Sequence, residues 1–194
     1  MTRVFIADVS KLNRDIEAYR NYISQYRYEK AKRYKYTDDC MLSIGAELLL
    51  ANYLGRKPCY EFDEYQKPIG EEVQFNFSHS GSIAVCAVSD NSVGVDVEKI
   101  RKVNIDIAKN KFCNSEYKKI MNSENPNETF FEYWVKKESY LKALGIGLRI
   151  PLMEFDVDEI NNWQFYSHEI SGYKICACAM DKVFFEEKNP IPLG

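Results

Sequence analysis

The chain is poor in several things, and each shortage narrows what it can be. It has two histidines, His79 and His168, and neither sits near a cysteine pair, which leaves a zinc site little to work with. Its six cysteines, at 40, 59, 86, 113, 176 and 178, show no CxxC spacing, so free thiols are expected rather than disulfides. No apolar run approaches the roughly 20 residues that span a bilayer. The opening MTRVFIADVS lacks the long apolar core and small-residue cleavage site of a signal peptide, and a cytoplasmic protein is the expectation. Net charge is only −3, which gives no electrostatic case for nucleic acid or a membrane surface. The serine-hydrolase elbow GxSxG is missing too, because Ser80 has Ser78 rather than glycine two residues before it.

What is present is an ordinary globular composition: 45% hydrophobic and 28% charged residues over 194 positions, enough to bury a core. RVFIADV (3–9) reads as an opening strand, and Arg14 to Tyr36 as a helical stretch rich in Tyr, Lys and Arg. TDDCMLSIGAELLLANYLG follows as a core helix, with Thr37 or Asp38 as N-cap and Gly55 as the stop. YEFDEYQKPIG (60–70) has strand character, and QFNFSHSGSIAVCAVSDNSVGVDVEK reads as three short strands. Beyond Lys99, NIDIAKNKF and SEYKKIMN are short helices, and SENPNE is a polar break. ETFFEYWVKKESYLKAL (128–144) is a longer helix. EFDVDEI, WQFYSHEI and GYKICACAM return to strands, and KNPIPLG is expected to be extended. Helices followed by strands occur twice, which suggests two similar α+β units packed together.

Three groups could carry chemistry. In NSVGVDVEKI, Val93, Val95 and Val97 alternate with Gly94, Asp96 and Glu98, so the two carboxylates share one face of a strand. A solvated strand end and a divalent cation both account for that pair. On the long helix, Trp134, Glu138 and Lys142 lie at i, i+4 and i+8 and share a face. Glu followed four residues later by Lys is also a routine stabilising pair, worth a few tenths of a kcal/mol. Ser78, His79 and Ser80 form a polar turn suited to gripping an anion, although a structural histidine fits it equally. Lys67 and the run Arg27, Lys30, Lys32, Arg33 add positive charge, which on a Tyr-rich helix is usually a solvated face.

Taken in order, QKP, FNFSHSG, GVDVEK and WVKKESYLKALGIGL resemble the Sfp-type 4′-phosphopantetheinyl transferases, which activate carrier proteins of peptide and polyketide synthases. The likeness runs from the basic N-terminal segment to GYKICACA. It implies an α+β fold of two pseudo-symmetric halves, 1–99 and 100–194, with the active site in the cleft between them. It also implies transfer of 4′-phosphopantetheine from coenzyme A to a serine of an apo acyl or peptidyl carrier protein, releasing adenosine 3′,5′-bisphosphate.

By the same resemblance Asp96, Glu98 and Glu138 hold Mg²⁺, with Mn²⁺ as a substitute. Glu138 is the candidate base and Lys142 stabilises charge on the pyrophosphate. Ser78, His79 and Lys67 line the nucleotide pocket, while Arg27 and Lys30 meet the 3′-phosphate. Two departures stand out: Cys40, Met41 and Leu42 occupy the region of an arginine usual in the family, and Gln66 replaces a glycine common before Lys-Pro. Carrier recognition is expected around KFCNSEYKKIMNSENPNE, where Phe112, Tyr117 and Met121 are as suited to core packing as to a carrier helix. A monomer, with no nucleic-acid or membrane partner, is expected. Another Mg²⁺-dependent hydrolase and a non-catalytic carrier-binding protein are the rival readings.

Overall fold

The computed structural model describes residues 1–189; the expected extension of the last residues falls largely outside them. Strand β1 (Thr2–Asp8) is followed, after two short 3₁₀ turns, by helix α1 (Gln25–Ala31) and helix α2 (Thr37–Leu54). The hairpin β2 (Tyr60–Phe62) and β3 (Pro68–Gly70) leads into β4 (Gln74–Ser80), β5 (Ile83–Ser89) and β6 (Val93–Lys99). Helices α3 (Asn114–Asn122) and α4 (Pro126–Leu144) come next, then β7 (Gln164–Ile170), β8 (Tyr173–Ala179) and β9 (Val183–Glu187).

Two main sheets face each other. One runs β4-β5-β1-β9 and the other β6-β8-β7. Their strand pairing crosses residue 99 in both directions. The carboxylate strand β6 pairs antiparallel with β8, while β9 returns to lie parallel to β1. Val4, Ile6, Val85 and Ala87 meet Val93, Val95, Val97, Ile175 and Ala177 between the sheets, so the valine face of β6 is core. Helix α2 is buried over nearly its whole girth, as its leucines and alanines require, and Gly55 ends it with φ 65°.

Three expectations from the sequence need correction. Only Gln25–Ala31 of the Arg14–Tyr36 stretch is α-helix; Asp15 caps a 3₁₀ turn instead, and Ser24 caps α1 through the Arg27 N–H. The N-cap of α2 is Tyr36, without a side-chain bond, so Thr37 and Asp38 lie inside the first turn. EFDVDEI is not a strand. Asp156 accepts from the Asp158 N–H and turns the chain into a 3₁₀ segment, Val157–Glu159. All six cysteines are free.

Helix α4 starts two residues earlier than expected, at Pro126, because Asn125 caps it and proline is well tolerated in a first turn. It presses directly on β6. A Cβ on Gly94 would stand 2.0 Å from the Ser139 carbonyl oxygen and 2.4 Å from the Ala143 nitrogen. Only glycine permits that approach, which brings Glu138 and Lys142 alongside Asp96.

Candidate active site

The site is built where β6 runs beside β4. These strands are joined by side chains instead of a backbone ladder: the N–H groups of Val95, Val97 and Lys99 donate to Asn76 Oδ1 (3.1 Å), Ser78 Oγ (3.4 Å) and Ser80 Oγ (3.1 Å). Period two on one strand thus matches period two on the other. The serine hydroxyls then donate onward, Ser78 to Asp96 Oδ1 at 2.8 Å and Ser80 to Glu98 Oε2 at 2.9 Å. The sequence places Ser80 in the polar segment 78–80 without a site role of its own. Its place two residues after Ser78, in step with Asp96 and Glu98, was the signal for it.

Asp96 is 5% exposed and takes Lys142 Nζ on Oδ1 at 2.6 Å. The same ammonium donates to Ser78 Oγ (3.1 Å) and the Val95 carbonyl (3.2 Å). Asp96 Oδ2 is buried and has no hydrogen-bond partner among the described residues. An orphaned buried carboxylate oxygen is costly unless a cation meets it. Glu98 is half-buried and also accepts from Arg101 at 3.1 Å. Burial raises the Glu138 pKa, and Asp96 and then Glu98 add to the rise, while Lys142 opposes it. Oxygen donors, one of them unclaimed, are of the kind a hard divalent cation such as Mg²⁺ takes, but among the described residues Asp96, Glu98 and Glu138 do not all bring a ligand oxygen within 4.8 Å of one another, and Lys142 occupies Asp96 Oδ1.

Beside the acids lies a cleft of ≈ 470 Å³ whose lining includes Arg27, Lys30, Ser78, His79 and Lys142. His79 presents an exposed edge, yet the loss of water in the cleft lowers its pKa, as do the charges of Lys142, Arg27 and Lys30. Lys30 is exposed. Arg27 is not a free cation. It is 8% exposed, with Nε on Glu47 Oε2 at 2.6 Å and one terminal nitrogen on Ser43 Oγ at 2.9 Å. Glu47, fully buried on α2, also accepts from Tyr60 at 2.6 Å.

Lys67 does not line the cleft. Its ammonium donates to the Ala143 carbonyl at 2.8 Å, fastening the β2–β3 hairpin to the end of α4, and burial lowers its pKa. Trp134 stacks on Phe130 at 5.9 Å within the α3–α4 core.

Cys113, Glu116 and Asp156 bring ligand atoms within 4.8 Å of one another, but their valences are spent. Glu116 accepts from Val157 and Cys113 N–H groups and pairs with the fully buried Lys137 at 2.8 Å. Sequence reasoning passed over Lys137, which its neighbours in KKES disguise. In the expected carrier region, Phe112 is buried against Phe130, Tyr117 is half-buried, and Met121 is exposed. Phe112 is therefore core, and Ile107 is exposed nearby in sequence.

The cleft lining carries Arg27, Lys30, His79 and Lys142, a set suited to an anion, and Asp96 adjoins it through Ser78 and Lys142. A family model described as the 4′-phosphopantetheinyl transferase superfamily matches residues 92–187. The 4′-phosphopantetheinyl transferase gsp of Aneurinibacillus migulanus is 33% identical over 184 residues, covering 81% of this chain and 76% of that protein. The 4′-phosphopantetheinyl transferase Sfp of Bacillus subtilis (strain 168) is 28% identical over 199 residues, 88% of each. The solved Thermotoga maritima holo-(acyl-carrier-protein) synthase shows a looser likeness, with 18% identity and a TM-score of 0.35 over 45% of this chain and 61% of that one. The chain belongs to the 4′-phosphopantetheinyl transferase family, and it is an enzyme that transfers that group. No helix among the described residues is long and apolar enough to cross a membrane.

Proposed function

We propose that the chain takes the 4′-phosphopantetheinyl group from coenzyme A and transfers it to a serine hydroxyl of an apo acyl or peptidyl carrier protein, in a Mg²⁺-dependent reaction. The observation that carries this reading is Asp96 Oδ2, buried and unpartnered beside Lys142, at the edge of a cation-lined cleft. Residues 1–99 supply Asp96, Glu98 and the nucleotide side; residues 100–194 supply Glu138 and Lys142. Bound by Asp96, Glu98 and Glu138, Mg²⁺, or Mn²⁺ in its place, would neutralise charge on the pyrophosphate oxygens.

The serine oxygen attacks the phosphorus that bears pantetheine. The bond to the bridging oxygen breaks, and its electron pair leaves with adenosine 3′,5′-bisphosphate. Glu138 receives the serine proton, directly or through a water, although direct transfer to a carboxylate that also touches the metal is the weaker of the two routes. Lys142 stands one helical turn from Glu138 and offsets charge growing on the bridging oxygen. His79 and Lys30 bind phosphate oxygens of the donor, and Ser78 lines the pocket while its hydroxyl proton stays directed at Asp96. Arg27 adds field and shape from its buried pair with Glu47, and Lys67 acts by holding the hairpin wall to α4.

The test is the intact mass of an apo carrier incubated with the protein, coenzyme A and Mg²⁺. A gain of one phosphopantetheine, absent with chelator, is the expected result. No gain on either an acyl or a peptidyl carrier contradicts the proposal.

A further inference from the structure

Two donors of different kinds meet one oxygen of Glu98. Its Oε2 accepts from the Ser80 hydroxyl at 2.9 Å and from a terminal nitrogen of Arg101 at 3.1 Å. Ser80 ends β4, and Arg101 lies on the segment that leaves β6 for α3. Ser80 is neutral and half-buried. Arg101 is a cation whose side chain is 59% exposed.

Ser80 has little freedom. Its Oγ accepts the Lys99 N–H at 3.1 Å, which leaves its single proton for Glu98. The turn that follows is held by β8: Gly81 has φ 60°, and a Cβ there would stand 2.3 Å from Tyr173 Oη. The Ser82 N–H donates to the same phenol oxygen at 3.1 Å. Arg101 is placed more loosely. Asn127 on α4 donates to its carbonyl at 2.7 Å, and the guanidinium lies 5.2 Å over the Phe131 ring. It also donates to the Lys99 carbonyl at 3.3 Å.

We infer that Ser80 is a positioning residue that aims Glu98 at the divalent cation, and that Arg101 is a resident counter-ion which the cation displaces. This rests on the Mg²⁺ reading given above. A neutral hydroxyl occupies one lone pair of a carboxylate and leaves its charge free, so it orients the group without competing with a metal. A guanidinium neutralises that charge and repels an arriving cation. Lys142 stands on Asp96 in the same way, at 2.6 Å. Each acid of β6 is thus balanced by a cation of the chain, which eases the repulsion between two carboxylates on one strand face. Asp96 and Glu98, each held to its own cation, are not drawn together with Glu138. An exposed pair such as Arg101–Glu98 is weak and yields readily to a divalent ion.

The experiment is calorimetric titration of Mg²⁺ into the whole protein with coenzyme A present, for the wild type, Ser80→Ala, Ser80→Thr and Arg101→Gln. Ser80→Ala is expected to weaken Mg²⁺ about tenfold, and Ser80→Thr, which keeps the hydroxyl, to stay within about twofold of the wild type. Arg101→Gln should tighten Mg²⁺ about two- to fivefold. Opposite signs from two partners of one oxygen are not what general damage to the fold gives, and melting temperatures of all four proteins check for such damage. Unchanged affinity in Ser80→Ala, or an equal loss in Ser80→Thr, overturns the role of Ser80. Unchanged or weaker Mg²⁺ binding by Arg101→Gln overturns that of Arg101. Absence of saturable Mg²⁺ binding by the wild type overturns the metal reading along with both.

Discussion

Glu47 on α2 and Glu116 on α3 are both fully buried, and both have each oxygen engaged. Glu47 accepts from the Ser24 N–H, Arg27 and Tyr60; Glu116 accepts from the Val157 and Cys113 N–H groups and Lys137. Asp96, 5% exposed, has one oxygen crowded by Ser78 and Lys142 and the other bare. The three acids share burial and a cationic neighbour. They differ in whether the account of donors closes. Where it closes, the acid holds elements together: α1 to α2 in one region, α3 to α4 in the other. Where it stays open, the carboxylate is kept for something that arrives.

The widest way to probe that difference is to remove the cations. Arg27→Ala and Lys137→Ala each strand a fully buried carboxylate, and each is expected to cost about 3–5 kcal/mol in denaturant unfolding. Lys142→Ala strands Asp96 less completely, since Ser78 remains, and its main effect falls on chemistry. Turnover should drop at least about tenfold, roughly 1.4 kcal/mol of barrier, in a carrier-modification assay. A smaller loss would reduce Lys142 to a helix-stabilising pair with Glu138.

Lys30 sharpens the contrast with Arg27 along one helix. Both lie beside the cleft, but Lys30 is exposed and has no buried acid. Lys30→Ala should raise KM for coenzyme A a few-fold, with little change for the 3′-dephosphorylated form and none in melting temperature. A matching loss with both donors would remove Lys30 from the 3′-phosphate.

The smallest effect concerns protons. Burial and the surrounding cations hold the His79 pKa below its ordinary value in the free protein. A bound phosphate favours the charged ring and raises that pKa again. Between the two values binding takes up a proton, so affinity for coenzyme A should rise as pH falls through that window. Calorimetry in buffers of different ionisation enthalpy measures the uptake, and His79→Gln should flatten it.

Much of this was readable in the chain because it is local. The alternation of Val93, Val95 and Val97 with Asp96 and Glu98 defines β6 and its polar face, and the i, i+4 spacing of Glu138 and Lys142 defines a face of α4. What escaped depends on distant partners. VFFEE has no alternation to mark β9, which is a strand because β1 offers it a parallel edge. Arg27 reads as a phosphate ligand until Glu47, 20 residues on and amid the leucines of α2, claims it. Lys67 was legible as a cation but not as a clamp, since the Ala143 carbonyl it holds is 76 residues away. Phe112 gave no sign of whether it faced core or solvent until α3 and α4 packed around it.

The most direct test of the open account at Asp96 is a calorimetric titration of Mg²⁺ into the protein with coenzyme A present, for the wild type and Asp96→Asn. The account predicts saturable Mg²⁺ binding by the wild type and a loss of at least about tenfold in affinity for the variant. Equal Mg²⁺ affinity for both proteins would contradict it, and Asp96 would then be a structural acid like Glu47 and Glu116.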